Sequence, residues 1–230
     1  MNVLVACEES QRVTTEFRRL GHNAFSCDIE SESGGHPEWH INEDVLPLLN
    51  GHCTFKTVDG VEHNIPSKWD MIIAFPPCTF MTTAGACRMY HKQENGLSIL
   101  DEERVKKMII SRDLFMSIFN SSCEKICIEN PTPMKLACLP KPSQIIQPYQ
   151  FGHPYSKRTC LWLKGLKPLK PTEIVEPIKG SWVNGDASAY KRKGKENIFG
   201  KSSSKERSKT FQGIAQAMAK QWVEPQESEE

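Results

Sequence analysis

The chain has 230 residues, of which 38% are hydrophobic and 25% charged, and its formal net charge is +1. That is globular composition at single-domain length, with chain enough to bury a core without disulfides, and it excludes general disorder. A net charge so close to zero excludes a dominant electrostatic footprint on nucleic acid or membrane, so any basic surface must be local.

The apolar runs Val3 to Cys7 and Met71 to Phe75 are too short to span a bilayer. The N-terminus has no basic region and turns acidic after Cys7, which does not read as a signal peptide. Nine cysteines without framework spacing, and without a CxxC pair, read as reduced thiols in a cytosol and give no structural zinc site. Pro37 breaks the helix that would put His36 and His40 on one face with Glu38, so no metal site is assigned there.

Val3 to Ala6 is a short apolar run of the kind that forms a buried parallel strand. Ser10 is placed to cap the helix that follows, whose apolar positions are Val13, Phe17 and Leu20 and whose stop is Gly21. Ala24 to Cys27 is a second strand, ending at Asp28. Trp39 to Ile41 reads as a short strand, and Thr54 to Val58 with Val61 to Ile65 flank the hairpin signal Asp59-Gly60.

Met71 to Ala74 is another buried strand that runs into Phe75-Pro76-Pro77-Cys78. Residues 79 to 100, rich in Thr, Gly and Met, read as a mobile loop. A helix is predicted from Asp101 to Asn120, a strand from Lys125 to Ile128 ending at Glu129-Asn130, and strands at Ile145 to Phe151 and Thr159 to Leu163. A last helix covers about Ser208 to Val223. Residues 181 to 206 are polar and basic, and 224 to 230 form an acidic tail.

Strands alternating with helices predict an α/β domain, in which ligands bind beyond the carboxyl ends of the strands. The chemically capable residues sit at those ends. Cys78 follows two prolines that fix its approach, as a candidate nucleophile. Glu129 closes an apolar strand, where burial would raise its pKa and let it carry a proton. Asp28 stands where an acid commonly binds ribose hydroxyls. The first turn, Cys7-Glu8-Glu9-Ser10, lacks GxGxxG, and its two acids would repel a phosphate. A cationic cofactor without phosphate fits better, and S-adenosylmethionine meets that description.

Pro77-Cys78, Glu129-Asn130 and Lys157-Arg158-Thr159, in that order after an acidic end to the second strand, resemble the C5-cytosine DNA methyltransferases. More narrowly, the chain is similar to short phage- or prophage-encoded members. The resemblance implies a Rossmann-like S-adenosylmethionine-dependent methyltransferase fold with a mostly parallel central sheet and a reduced target-recognition region. It implies a catalytic domain of residues 1–163 with 207–223, and a reduced recognition segment at 164–206. It implies Cys78 as nucleophile, Glu129 as the group contacting the cytosine ring, and Arg158 as the cation that holds the base and lowers the Cys78 pKa. Cys7, Glu8, Ser10, Asp28, Ile29, Asp44, Val45, Phe75 and Pro76 would bind the cofactor.

The partner implied is cytosine-containing DNA, with no membrane partner, in a bacterial host cytosol if the gene is a phage's. Lys157, Lys191, Arg192, Lys193 and Lys195 are candidate phosphate contacts. Two features depart from the family: the first loop is not glycine-rich, and little chain is left for target recognition. They leave open a catalytically degenerate nucleic-acid-binding or decoy protein on the same fold, or the same chemistry on RNA or a free nucleotide. An amino-methyltransferase acting on N6 of adenine or N4 of cytosine would need a polar residue where Phe75 precedes the prolines.

Overall fold

A computed structural model describes residues 1–93, 96–178 and 208–223. Its centre is a seven-stranded sheet. The strands, in chain order, are β1 (Asn2–Ala6), β2 (Asn23–Cys27), β3 (His40–Ile41), β6 (Met71–Ala74), β9 (Ile126–Pro131), β10 (Gln144–Ile146) and β11 (Thr159–Lys164). The spatial order is β10-β11-β9-β6-β1-β2-β3, and β11 alone runs against the others. The fold is α/β and Rossmann-like, with a mostly parallel central sheet.

Three helices cover this sheet among the described residues: α1 (Arg12–Arg19), α2 (Glu102–Phe119) and α3 (Gln212–Val223). Alternation along the strands sorts their side chains between the two faces. Val3, Val5, Met71, Ile73, Cys127 and Leu161 pack with residues of α1 and α3. Leu4, Ala6, Ile72, Ala74, Ile128 and Trp162 pack on the other face, with Met108, Phe115 and Ile118 of α2. Burial on both faces explains why these strands read as continuous apolar runs.

α3 docks closely because its second residue is glycine. A Cβ on Gly213 would lie 2.0 Å from the Phe151 carbonyl oxygen. The Gly213 amide donates to His153 Nε2 at 2.9 Å. Residues 165–178 are irregular but held against α3: the Trp222 indole donates to the Lys167 carbonyl at 3.0 Å, and Lys170 and Gln221 exchange two hydrogen bonds.

Three local expectations are corrected. Ser10 does not cap α1; Gln11 holds the cap position at φ 55°, and the Glu8 carboxylate reaches over to accept from Val13 N and Thr14 N at 2.7 and 3.2 Å. The stretch predicted as one strand from Ile145 to Phe151 stops at Ile146, because Pro148 removes a ladder donor and opens a 3-10 turn, Pro148–Gln150. The segment after Cys78 is built rather than open. It forms a 3-10 helix, Thr83–Met89, and a hairpin of β7 (Tyr90–Lys92) and β8 (Ser98–Leu100).

Met81 and Met89 anchor that segment in the core, and Met134 N and Thr83 N tie it to the chain beyond β9. Gly96 holds the hairpin turn at φ 81°, while Gly85 is buried, where a Cβ would stand 2.9 Å from the Thr79 carbonyl. β4 (Cys53–Lys56) and β5 (Glu62–Ile65) form the expected hairpin, whose Phe55 packs on Phe25 and Trp69.

Candidate active site

β1 is the sheet's turning point: β2 and β3 lie to one side of it, β6 and β9 to the other. In such sheets the crevice opens beyond the carboxyl ends of the strands at this switch. A cavity of about 630 Å³ lies there. Ligand sites of small molecules fall in this size range.

β1 delivers Cys7 to Ser10 to one wall, and β2 delivers Asp28 and Ile29. Asp44 and Val45 follow β3, and Phe75 to Cys78 follow β6. Glu129 comes from β9, and Lys157 stands just ahead of β11. Ser208, Lys209 and Thr210, ahead of α3, close another side. The nine residues expected around a cofactor (Cys7, Glu8, Ser10, Asp28, Ile29, Asp44, Val45, Phe75 and Pro76) all line this cavity.

The electrostatics divide the cavity. At one end stand Glu8, Glu9, Asp28, Glu30, Glu43 and Asp44, against which the lining sets, among the described residues, only Lys157 and Lys209. Glu8 is 3% exposed, and its carboxylate also accepts from the Thr14 hydroxyl at 2.7 Å. A built-in carboxylate thus fills the anion position at the start of α1, where phosphate would otherwise bind. Burial pushes the Glu8 carboxyl up to about 6, against the hydrogen bonds from Val13 and Thr14.

Asp28 is also raised, chiefly by burial, with the Glu30 amide opposing. Burial and the charges of Asp28 and Asp44 drive the Cys7 thiol up to about 12. Cys7 holds φ 57°, so it takes a left-handed turn that glycine would adopt without strain. Ile29 is 79% exposed, an aliphatic side chain left bare at the cavity's edge.

The other end carries Cys78 and Glu129. β6 and β9 pair in parallel with Ala74 opposite Ile128, so the two residues leave adjacent strands at the same rim. Asn130 is 1% exposed, and its side-chain amide donates to the Pro76 carbonyl at 3.2 Å. Glu129 Oε1 is sealed from solvent and has no hydrogen-bond partner among the described residues. An orphaned buried acceptor is costly unless it is protonated or a ligand satisfies it. Burial raises the Glu129 carboxyl, and Lys157 opposes. The Cys78 thiol is raised by burial and then by Glu129, while Lys157 draws it down.

Arg158 is exposed and is not among the cavity's lining residues. The cation that acts on Cys78 and Glu129 is its neighbour Lys157. The physical reason is alternation. Position 158 shares its side of the chain with Cys160 and Trp162, on the α2 face, whereas 157 shares its side with Leu161, on the α3 face. Lys191, Arg192, Lys193 and Lys195 lie outside the described residues. Sequence reasoning quoted Asn130 beside Glu129 but gave its amide no role of its own, and it missed the apolar wall residue Leu114 from α2.

No protein-family model and no curated protein sequence matches the chain. Among solved structures it is similar to a protein described as a DNA modification methyltransferase encoded within an E. coli prophage, with TM-score 0.43 and 15% identity over 80% of this chain and 53% of that one. It is also similar to DNMT2 of Spodoptera frugiperda, with TM-score 0.35 and 14% identity over 77% and 55%. A third is the Entamoeba histolytica methyltransferase EhMeth, with TM-score 0.37 and 15% identity over 83% and 62%. The matches span less than two thirds of each of these longer chains.

Proposed function

We propose that the protein transfers a methyl group from S-adenosylmethionine to C5 of cytosine in DNA through a covalent Cys78 adduct. The observation that carries this is the shared rim: a thiol and a carboxyl whose Oε1 is sealed without a partner among the described residues open into one cavity, with Lys157 beside them.

The acidic end of the cavity fits a cationic cofactor. Its helix N-terminus is already taken by Glu8, which disfavours a phosphate-bearing one. Asp28 would accept from the ribose hydroxyls, and Ile29, Val45 and Phe75 would cover the adenine. The acids beside them would face the sulfonium and the amino group. When bound, S-adenosylmethionine supplies an electrophilic methyl group.

The chain's own residues would handle the cytosine. The base leaves its stack and enters the cavity. Cys78 loses its proton and its sulfur bonds to C6 of the ring. Negative charge then develops across the ring to N3, where protonated Glu129 donates a hydrogen bond. C5 becomes the nucleophilic carbon and takes the methyl. Loss of the C5 proton to water restores the ring double bond and expels Cys78 as thiolate. The raised Glu129 pKa suits this sequence, because a carboxyl that takes up the Cys78 proton loses the charge that disfavours the thiolate; burial of Cys78 opposes the step, and Lys157 offsets part of that cost. Lys157 would steady the negative charge that remains, the part expected of Arg158 from sequence.

The test is methyl transfer from labelled S-adenosylmethionine to cytosine-containing duplex DNA, with bisulfite sequencing of the product. Cys78→Ser should abolish the C5 product and retain cofactor binding. Undiminished transfer, or a methyl group found on an exocyclic nitrogen, would end this assignment.

A further inference from the structure

Phe80 lies two positions beyond Cys78, and two cations stand on its ring. The Arg104 guanidinium carbon is 5.0 Å from the ring centroid and the Lys107 ammonium 5.7 Å. Both come from the first turns of α2, on the side that faces the segment after Cys78. Neither forms an ion pair among the described residues.

The acids nearby are engaged elsewhere. Glu103 pairs with Lys106 at 2.8 Å, and Asp101 pairs with His91 at 2.9 Å while accepting from the Arg104 amide at 3.0 Å. Arg104 is half-buried, and its Nε and Nη2 are sealed with no acceptor among the described residues.

Two like charges on one ring, without a counter-ion and partly stripped of water, are unfavourable by themselves. The ring face recovers only part of that cost. An anion bridging both cations would relieve it, and a desolvated guanidinium gains more from an anion than a solvated one does. We propose that Arg104 and Lys107, mounted on Phe80, form a clamp for one backbone phosphate of the DNA whose target base enters the Cys78 cavity. This rests on the proposed DNA substrate. It supplies a backbone contact from the body of the fold, independent of the basic stretch at 191–195.

The experiment is equilibrium binding of a short fluorescein-labelled duplex across a salt series, for the wild type, Arg104→Met, Lys107→Met and the double variant. The double variant should weaken binding uniformly across duplex sequences. It should also flatten the slope of log K against log salt by about 0.9, the value for one phosphate contact. Arg104→Met should keep or raise the melting temperature, because the methionine stem still packs on Phe80 while an unpaired charge is removed. If Arg104→Met fails to fold, Lys107→Met at its exposed position gives the same readout alone.

An unchanged salt slope in the double variant overturns the clamp, whatever the melting temperature does. A wild type that binds no duplex at any salt overturns both the clamp and the proposed substrate. A wild type that binds with the expected slope yet transfers no methyl group ends only the catalytic assignment and leaves the clamp standing.

Discussion

The Asn130 side chain holds the Pro76 carbonyl at 3.2 Å in the interior, and so fixes the approach to Cys78 from the strand that carries Glu129. Asn130→Ala should cost about 1–3 kcal/mol of stability, since the Pro76 carbonyl loses its buried partner. Its larger effect should fall on kcat for methyl transfer, with S-adenosylmethionine affinity nearly unchanged. Urea unfolding and cofactor titration separate the two. Equal losses in kcat and in cofactor affinity would mean general loosening rather than misplacement of Cys78.

Lys157 lowers the pKa of both Cys78 and Glu129. Lys157→Met should therefore raise both. The single-turnover rate should reach its half-maximum at higher pH, because less thiolate is present at any given pH. Arg158→Met should move that profile less. A larger shift from Arg158 would return the role to the residue first expected.

Glu8 gives a pH dependence of stability. Its folded value of about 6 lies above the ordinary 4.5. Between these values the folded state holds the proton more tightly than the unfolded chain, so stability falls as pH rises through that window. The difference corresponds to about 2 kcal/mol. Asp28 and Glu129 are raised too and add in the same direction. Denaturation midpoints from pH 4.5 to 7 should fall in the wild type and fall less in Glu8→Gln. A midpoint that climbs across this range would contradict the buried-carboxyl account.

Ile29 separates binding from folding. At 79% exposure it contributes little to the core, so Ile29→Ala should shift stability by no more than about 0.5 kcal/mol. If its side chain covers adenine, calorimetry should show S-adenosylmethionine affinity falling roughly fivefold, the equivalent of about 1 kcal/mol. Unchanged affinity would remove Ile29 from the cofactor site.

Gly213 tests how α3 closes the fold. A methyl group there meets the Phe151 carbonyl, so Gly213→Ala should destabilise by about 1–3 kcal/mol although alanine favours helix. Thermal melts would check the sign. A stabilised variant would mean that α3 shifts to make room.

The sequence by itself determined whatever depends on neighbours a few residues away. Met71 to Ala74 reads as a buried strand because all four residues are apolar and a proline pair stops the run, and α2 follows from helical spacing and an aspartate cap. The acids and thiol at the strand ends were legible for the same reason. Tertiary structure decided which strands became neighbours. Nothing local says that β6 pairs with β9, yet that pairing sets Cys78 beside Glu129. Nothing local says that the Glu8 side chain turns back onto the amides of α1, or that Met81 and Met89 bury themselves and give structure to a stretch that reads as a loop. Lys157 is the sharpest case. Its facing was implicit in the alternation of β11, but alternation has no sign until the register against β9 fixes which side of the strand meets the cavity.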